Sequence, residues 1–333
     1  MITFYECGQG DASYINECGV DLFIDLGTSQ FKGNVPSNID IMISHSHADH
    51  VNGGIVTSNN TNINTLYVPA YFPEYAAIIN RLLNRPNFPF PNNVKFVYDG
   101  MMLCSGVITV LNPPLDPWNY WPDIEDDTPS IDNFLQSLEN SIREKDAFVN
   151  SIYDDVRNVI RDQISKENSL LFIERMLARL ARLYVNGGND LIYAINSFHN
   201  YDANVLSIIF SYKRNDGNVF LFTGDANKEQ FYRIMQNSAN VLKCNLLKVP
   251  HHGSKKSLDK KILGAMSPDA AVISHNNGLF GRAKDPHPNT QVLNILKGAK
   301  VAIYPTNDVM KNGSLVISKH RGNIPKFSNV RII

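Results

Sequence analysis

The chain has 333 residues, 43% of them hydrophobic and 19% charged, with a formal net charge of −1. That length buries a sizeable core, and the composition is that of a globular protein rather than a disordered or fibrous one. The charge balance supplies no global basic field for nucleic acid, and the four scattered cysteines (Cys7, Cys18, Cys104, Cys244) exclude a disulfide scaffold or a thiolate zinc knuckle.

In chain order, residues 2–6, 12–17 and 21–25 read as short strands punctuated by Gly8, Gly10, Gly19 and Gly27. A short apolar run over 40–44 ends abruptly in HSHADH, and strands follow at 65–69 and 94–98 with a helix near 75–84 between them. After Asn112-Pro113-Pro114 the texture changes. Apolar residues recur at i, i+3, i+4 and i+7 through Ile131–Ile142, Val149–Ile160 and Leu170–Tyr184, which predicts three amphipathic helices stopped by Gly187-Gly188. Strands return at 205–212 and 219–223, joined by the turn Asn215-Asp216-Gly217. A helix near 227–236 and strands at 245–249, 270–274, 301–304 and 314–318 complete the series. Strands and helices interleave on both sides of a helical stretch, so the chain is expected to be one α/β domain over 1–333 with a helical insertion over 115–198. No apolar run reaches the ~18–20 residues of a membrane helix. The stretch MITFYECGQGDASYI lacks the features of a secretory leader, so a cytoplasmic location is expected.

Three groups carry chemistry, each directly after an apolar strand. His45-x-His47-x-Asp49-His50 places three of the nine histidines and a carboxylate on one loop. No single strand or helix face can hold them all, but a loop can wrap them around two adjacent metal ions, with zinc the natural choice for such nitrogen and oxygen donors. Thr223-Gly224-Asp225 offers a carboxylate that can bridge two ions. Pro250-His251-His252-Gly253-Ser254 offers adjacent imidazoles pointing in different directions, one for metal and one for the pocket.

Together with Gly8-Gln9-Gly10-Asp11-Ala12, Phe23-Ile24-Asp25-Leu26-Gly27, Asn204-x-x-Ser207 and Asp285-Pro286-His287-Pro288, these groups form an ordered series. The series resembles the metallo-β-lactamase superfamily, and within it the branch of the competence DNA-import protein and bacterial phosphorylcholine esterases. It covers 1–114 and 200–320 but not the helical stretch between. The resemblance implies an αββα sandwich with an inserted helical subdomain. It implies one zinc on His45 and His47, a second on Asp49 and His50, Asp225 bridging, and His251 completing the second site. Asp25 would orient a ligand histidine. Many members carry a further histidine before the bridging aspartate; here that region offers His199 and Asn204, and the branch it resembles favours Asn204 near the first site, with one or two ions bound and manganese an alternative to zinc. His287 would stand at the pocket mouth as a substrate contact or proton donor.

The activity implied is hydrolysis of a phosphodiester in a nucleotide, nucleic acid or phosphocholine-like substrate by a two-metal-activated water, with Asp49 or His252 relaying a proton. Thioester or lactone hydrolysis uses the same centre, and a metal-binding recognition scaffold is a third reading. The insertion would cover the cleft or serve self-association.

Overall fold

A computed structural model of the protein describes residues 1–29, 31, 35–53, 62–83, 88–89, 91, 93–114, 202–275, 280–282, 285–306 and 314–317. The three helices predicted between 131 and 184, and His199, lie outside these residues.

Two seven-stranded mixed sheets carry the fold. The first has β1 (Ile2–Tyr5), β2 (Ser13–Glu17), β3 (Val20–Ile24), β4 (Asn38–Met42), β5 (Asn62–Pro69) and β6 (Asn93–Val97) in sequential order. The second contains β7 (Met102–Leu103), β8 (Ile108–Asn112), β9 (Ile209–Lys213), β10 (Val219–Phe222), β11 (Leu246–Lys248), β12 (Ala270–Ile273) and β15 (Ala302–Pro305). A two-stranded ribbon, β13 (Phe280–Arg282) and β14 (Asp285–His287), stands apart, and β16 (Ser314–Ile317) pairs antiparallel with β1. Each large sheet is antiparallel on one side and parallel on the other: β3 to β6 run parallel in the first, as do β10, β11, β12 and β15 in the second.

Strand parity explains why two sheets form. Phe220 and Phe222 of β10 face inward while Leu221 faces outward, and β11 and β12 alternate in the same way. Ile2, Phe4, Ile15, Leu22 and Ile24 of the first sheet meet Phe210, Phe222, Leu246 and Val272 of the second in one inner core. Phe4 stacks on Phe222 at 5.8 Å across that core. The outer face of the second sheet is covered by α3 (Lys228–Ser238), α4 (Lys260–Met266) and α5 (Thr290–Gly298), through Phe231, Ile234, Ile262, Met266, Val292 and Leu296. Two further helices, α1 (Ala48–Val51) and α2 (Phe72–Leu83), follow β4 and β5. Among the described residues no helix is long and apolar enough to cross a membrane, and all four cysteines are free thiols.

The predicted strands recur with shifted bounds. The segment predicted as strand from 205 begins instead with a 3₁₀ turn (Ala203–Leu206), and β9 starts at Ile209. Helices α4 and α5 and the β7–β8 hairpin were not predicted. The caps of both helices are written in the sequence: the Asp259 carboxylate accepts from the amides of Lys261 and Ile262, and Asn289 accepts from that of Gln291. Within α4, a methyl on Gly264 would meet nothing within 4 Å. Gly264→Ala is therefore expected to raise the stability of the fold by about 0.5–1 kcal/mol through helix propensity. Urea unfolding measures the shift, and a lower midpoint would contradict the packing described.

Candidate metal centre

The carboxyl ends of the parallel strands converge at one end of the sandwich, the edge where open α/β sheets place their ligands. From the first sheet, the chain leaves β4 through Ser44 and turns. His45 and His50 are fully buried, and Asp49 and His50 lie on the single turn of α1. Asp25, at the end of β3 in a left-handed conformation (φ 54°), organises this loop. Its carboxylate accepts the Ser44 amide at 2.7 Å and the Ser44 hydroxyl at 2.8 Å, and lies 2.8 Å from His50 Nδ1. A carboxylate accepts, so His50 Nδ1 donates to Asp25, and Nε2 is left facing Asp225 Oδ1, 3.3 Å away.

From the second sheet, β10 ends in Thr223-Gly224-Asp225. Gly224 has φ 48°, and a Cβ there would press on Ser207 and Ser44 at 3.0–3.1 Å, so the close approach of the two sheets requires glycine. The Asp225 amide donates to Ser207 Oγ at 3.0 Å, which fixes the carboxylate's direction. After β11, the turn Pro250–Gly253 holds His251 and His252 both left-handed, with φ 49° and 51°. Successive left-handed residues throw their side chains apart. His252 is buried, with Nε2 3.3 Å from Asp49 Oδ2 and 3.4 Å from Asp225 Oδ2, and Nδ1 3.1 Å from the Ser274 carbonyl. His251 is 19% exposed, its Nε2 3.8 Å from Asp225 Oδ2 and its ring 4.9 Å from that of His287.

Among the described residues three groups have donor atoms within 4.8 Å of one another: Asp49, His50, Asp225 and His252; His45, His47 and Asp225; and Asp11, Asp25 and His50, the last adding to His50 two carboxylates that support the first. Asp225 belongs to the first two, the position a bridging ligand needs. The donors fit a metal. Nε2 of His45, His50 and His252 and Oδ1 of Asp225 are all buried without a hydrogen bond. Buried polar atoms are ordinarily satisfied, so four orphans aimed at one space call for a ligand. An all-nitrogen-and-oxygen set suits a divalent ion such as zinc or manganese.

The electrostatics agree. Burial opposes charge on His50, yet Asp225 and Asp25 together hold its pKa well above the usual imidazole range. Burial likewise opposes charge on His252, and Asp225 and Asp11 push its pKa up to about 10. The Asp225 carboxyl is held well below the usual range despite burial, by His252, His50 and His251. His45 is driven the other way, first by burial and then by the neighbouring charges of His50 and His47. A buried carboxylate pair that draws protons onto its imidazoles is a cavity built for positive charge.

The structure brings His45, His47, Asp49, His50 and Asp225 together, and it places both adjacent histidines near Asp225, with His252 the nearer at 3.4 Å and His251 at 3.8 Å. His252 joins the four-residue group, while His251 stands beside it with His287. The reason is the left-handed turn, which sends the second imidazole inward and the first outward. His287, from β14, is buried with its ring 6.4 Å from that of His252. Asn204 is buried on the 3₁₀ turn just before Ser207. Sequence reasoning gave no role to Ser44, nor to Asp11 and Lys248, which lie immediately behind His252.

No family model matches the chain. Over 114 residues, 34% of its length, it is 30% identical to ComE operon protein 3 of Bacillus subtilis (strain 168), a match that spans only 13% of that relative. Among solved structures it is similar to the metallo-β-lactamase fold protein YhfI from Bacillus subtilis, with 9% identity and a TM-score of 0.41 covering 95% of this chain and 99% of that one. It is also similar to a "possible metal-dependent hydrolase" from Veillonella parvula, with 8% identity and a TM-score of 0.41 over 94% and 98% of the two chains. The motif series, the two mixed sheets and the His/Asp cluster at their shared edge make this a metallo-β-lactamase-like α/β fold with a candidate metal centre.

Proposed function

We propose that the chain is a metal-dependent hydrolase that cleaves a phosphodiester, in a nucleotide, nucleic acid or phosphocholine-like substrate. The observation that carries the reading is the Asp225 carboxylate shared between two donor groups, with Nε2 of His45, His50 and His252 buried without a hydrogen bond. His45, His47 and Asp225 would hold one ion, and Asp49, His50, Asp225 and His252 the other. When bound, a pair of divalent ions supplies Lewis acidity to a phosphoryl oxygen and acidifies a water. The protein does the rest. Asp25 fixes the tautomer of His50, the Ser274 carbonyl does the same for His252, and Ser207 aims Asp225. His251 and His287, ring to ring beside the cluster, would contact the substrate and return a proton to the leaving oxygen. No serine or cysteine nucleophile is required. Burial pushes the Cys244 thiol up to about 12 and the Cys7 thiol well above its usual range, which keeps both protonated.

The test is elemental analysis joined to an activity panel. Purified protein is expected to carry one to two equivalents of zinc or manganese, and to hydrolyse bis-p-nitrophenyl phosphate in preference to a thioester. Chelation is expected to abolish turnover and lower the Tm, because the carboxylates and imidazoles are then left facing one another unligated. Protein that neither carries nor takes up metal would end this reading, and a preference for the thioester would leave the centre but change the substrate.

A further inference from the structure

Lys248 sits on the inner face of β11, two residues after Leu246, and is 2% exposed in the space between the sheets. A lone ammonium there would be strongly disfavoured. It is met by one carboxylate from the other sheet: Nζ lies 2.7 Å from Asp11 Oδ1 and 2.8 Å from Oδ2. Replacing such a buried pair by apolar side chains is often neutral or stabilising, so stability alone does not account for charge at this depth. The surroundings give a better reason. The Asp11 amide donates to the Asp49 carbonyl at 3.2 Å, while Asp11 Oδ1 lies 3.7 Å from His252 Nδ1. The Lys248 carbonyl accepts from Thr223 Oγ1 at 2.6 Å, two residues before Asp225. One ion pair therefore reaches the first sheet's metal loop, the turn that carries Asp225, and the imidazole from the end of β11.

We propose that Asp11 and Lys248 are positioning residues: their ion pair fixes the separation of the two half-sites so that His252 completes the group with Asp49, His50 and Asp225. The inference rests on the functional reading above. It assigns the Gly-Gln-Gly-Asp segment and the strand lysine a role in metal affinity rather than in chemistry, since neither side chain belongs to the four-residue group.

The test reads zinc affinity directly, by competition with a chromophoric chelator. It is run in a His47→Ala background, where the four-residue group is the intact site. Asp11→Asn and Lys248→Met are each expected to weaken that site by about 10–100-fold, the usual effect of removing a supporting partner. Cobalt substitution is expected to show an altered absorption band, while Lys248→Arg, which keeps the cation, retains most of the affinity. The double variant Asp11→Asn/Lys248→Met leaves no unpaired charge and so guards against a single variant that fails to fold. It is expected to bind no more weakly than the worse single variant, because both remove one interaction. Affinity within twofold of the parent in the folded double variant, with an unchanged cobalt spectrum, would overturn the proposal. A parent that takes up no metal would instead overturn the functional reading.

Discussion

Asp225→Ala protein is expected to fold, to lose metal from both subsites, and to fall to the background rate with any phosphodiester. The fold survives because the Asp225 amide keeps its bond to Ser207, and because His50 and His252, no longer facing this carboxylate, can shed their protons and sit as neutral imidazoles. Metal is lost because this side chain alone contributes to both donor groups. The affinity loss should exceed the roughly 10–100-fold produced by removing a supporting partner. The same zinc measurement separates the adjacent histidines. His252→Ala should behave like a ligand deletion, whereas His251→Ala should keep its metal and lose mainly turnover. Two retained equivalents in the Asp225→Ala protein would refute the bridging position.

Gly10→Ala is expected to damage both the fold and the site. A Cβ at Gly10 would overlap the carbonyl oxygen of Asp49 and come within 2.8 Å of the Thr28 amide nitrogen. Both obstacles are backbone, so no rotamer change relieves them. Overpacking a tight interior costs about 1–3 kcal/mol, and here the strain falls on the turn that carries Asp49 and His50. Thermal unfolding should show a clear fall in Tm, and metal titration a weaker site, with Asp49 the displaced ligand. If Gly10→Ala protein matches the parent in both measurements, the segment does not press on the metal loop as described.

Much of the centre is legible in the sequence for one physical reason. A strand that must be apolar ends, and the residues straight after it belong to the site. HSHADH after Ile41-Met42-Ile43, TGD after β10 and HHGS after β11 all announce themselves by that contrast. What could not be read is backbone conformation. Which of His251 and His252 turns inward depends on two successive left-handed residues, and nothing in the dipeptide declares them. Lys248 was equally opaque: in the run Leu246-Leu247-Lys248-Val249 a lysine reads as solvent-facing, and only its partner 237 positions away shows otherwise. The β7–β8 hairpin was missed because β7 has only two residues, too few for any periodicity. Helices α4 and α5 are announced in the sequence by their caps at Asp259 and Asn289.

The donors of the four-residue group come from distant parts of the chain, Asp49 and His50 in its first sixth and Asp225 and His252 well past its middle. Loop closure over such a span must be complete before the four can meet, so the group belongs to a late, non-local stage of folding. A histidine-rich loop formed early offers an ion only half a shell. An ion that is held fully by the finished sandwich, and poorly by anything less, does little to hasten its assembly. Its influence would fall on the reverse journey, where prying the sheets apart would first require breaking the shell. In that sense an ion bound at the centre would act as a latch, expected to lengthen the life of each molecule more than to hasten its formation.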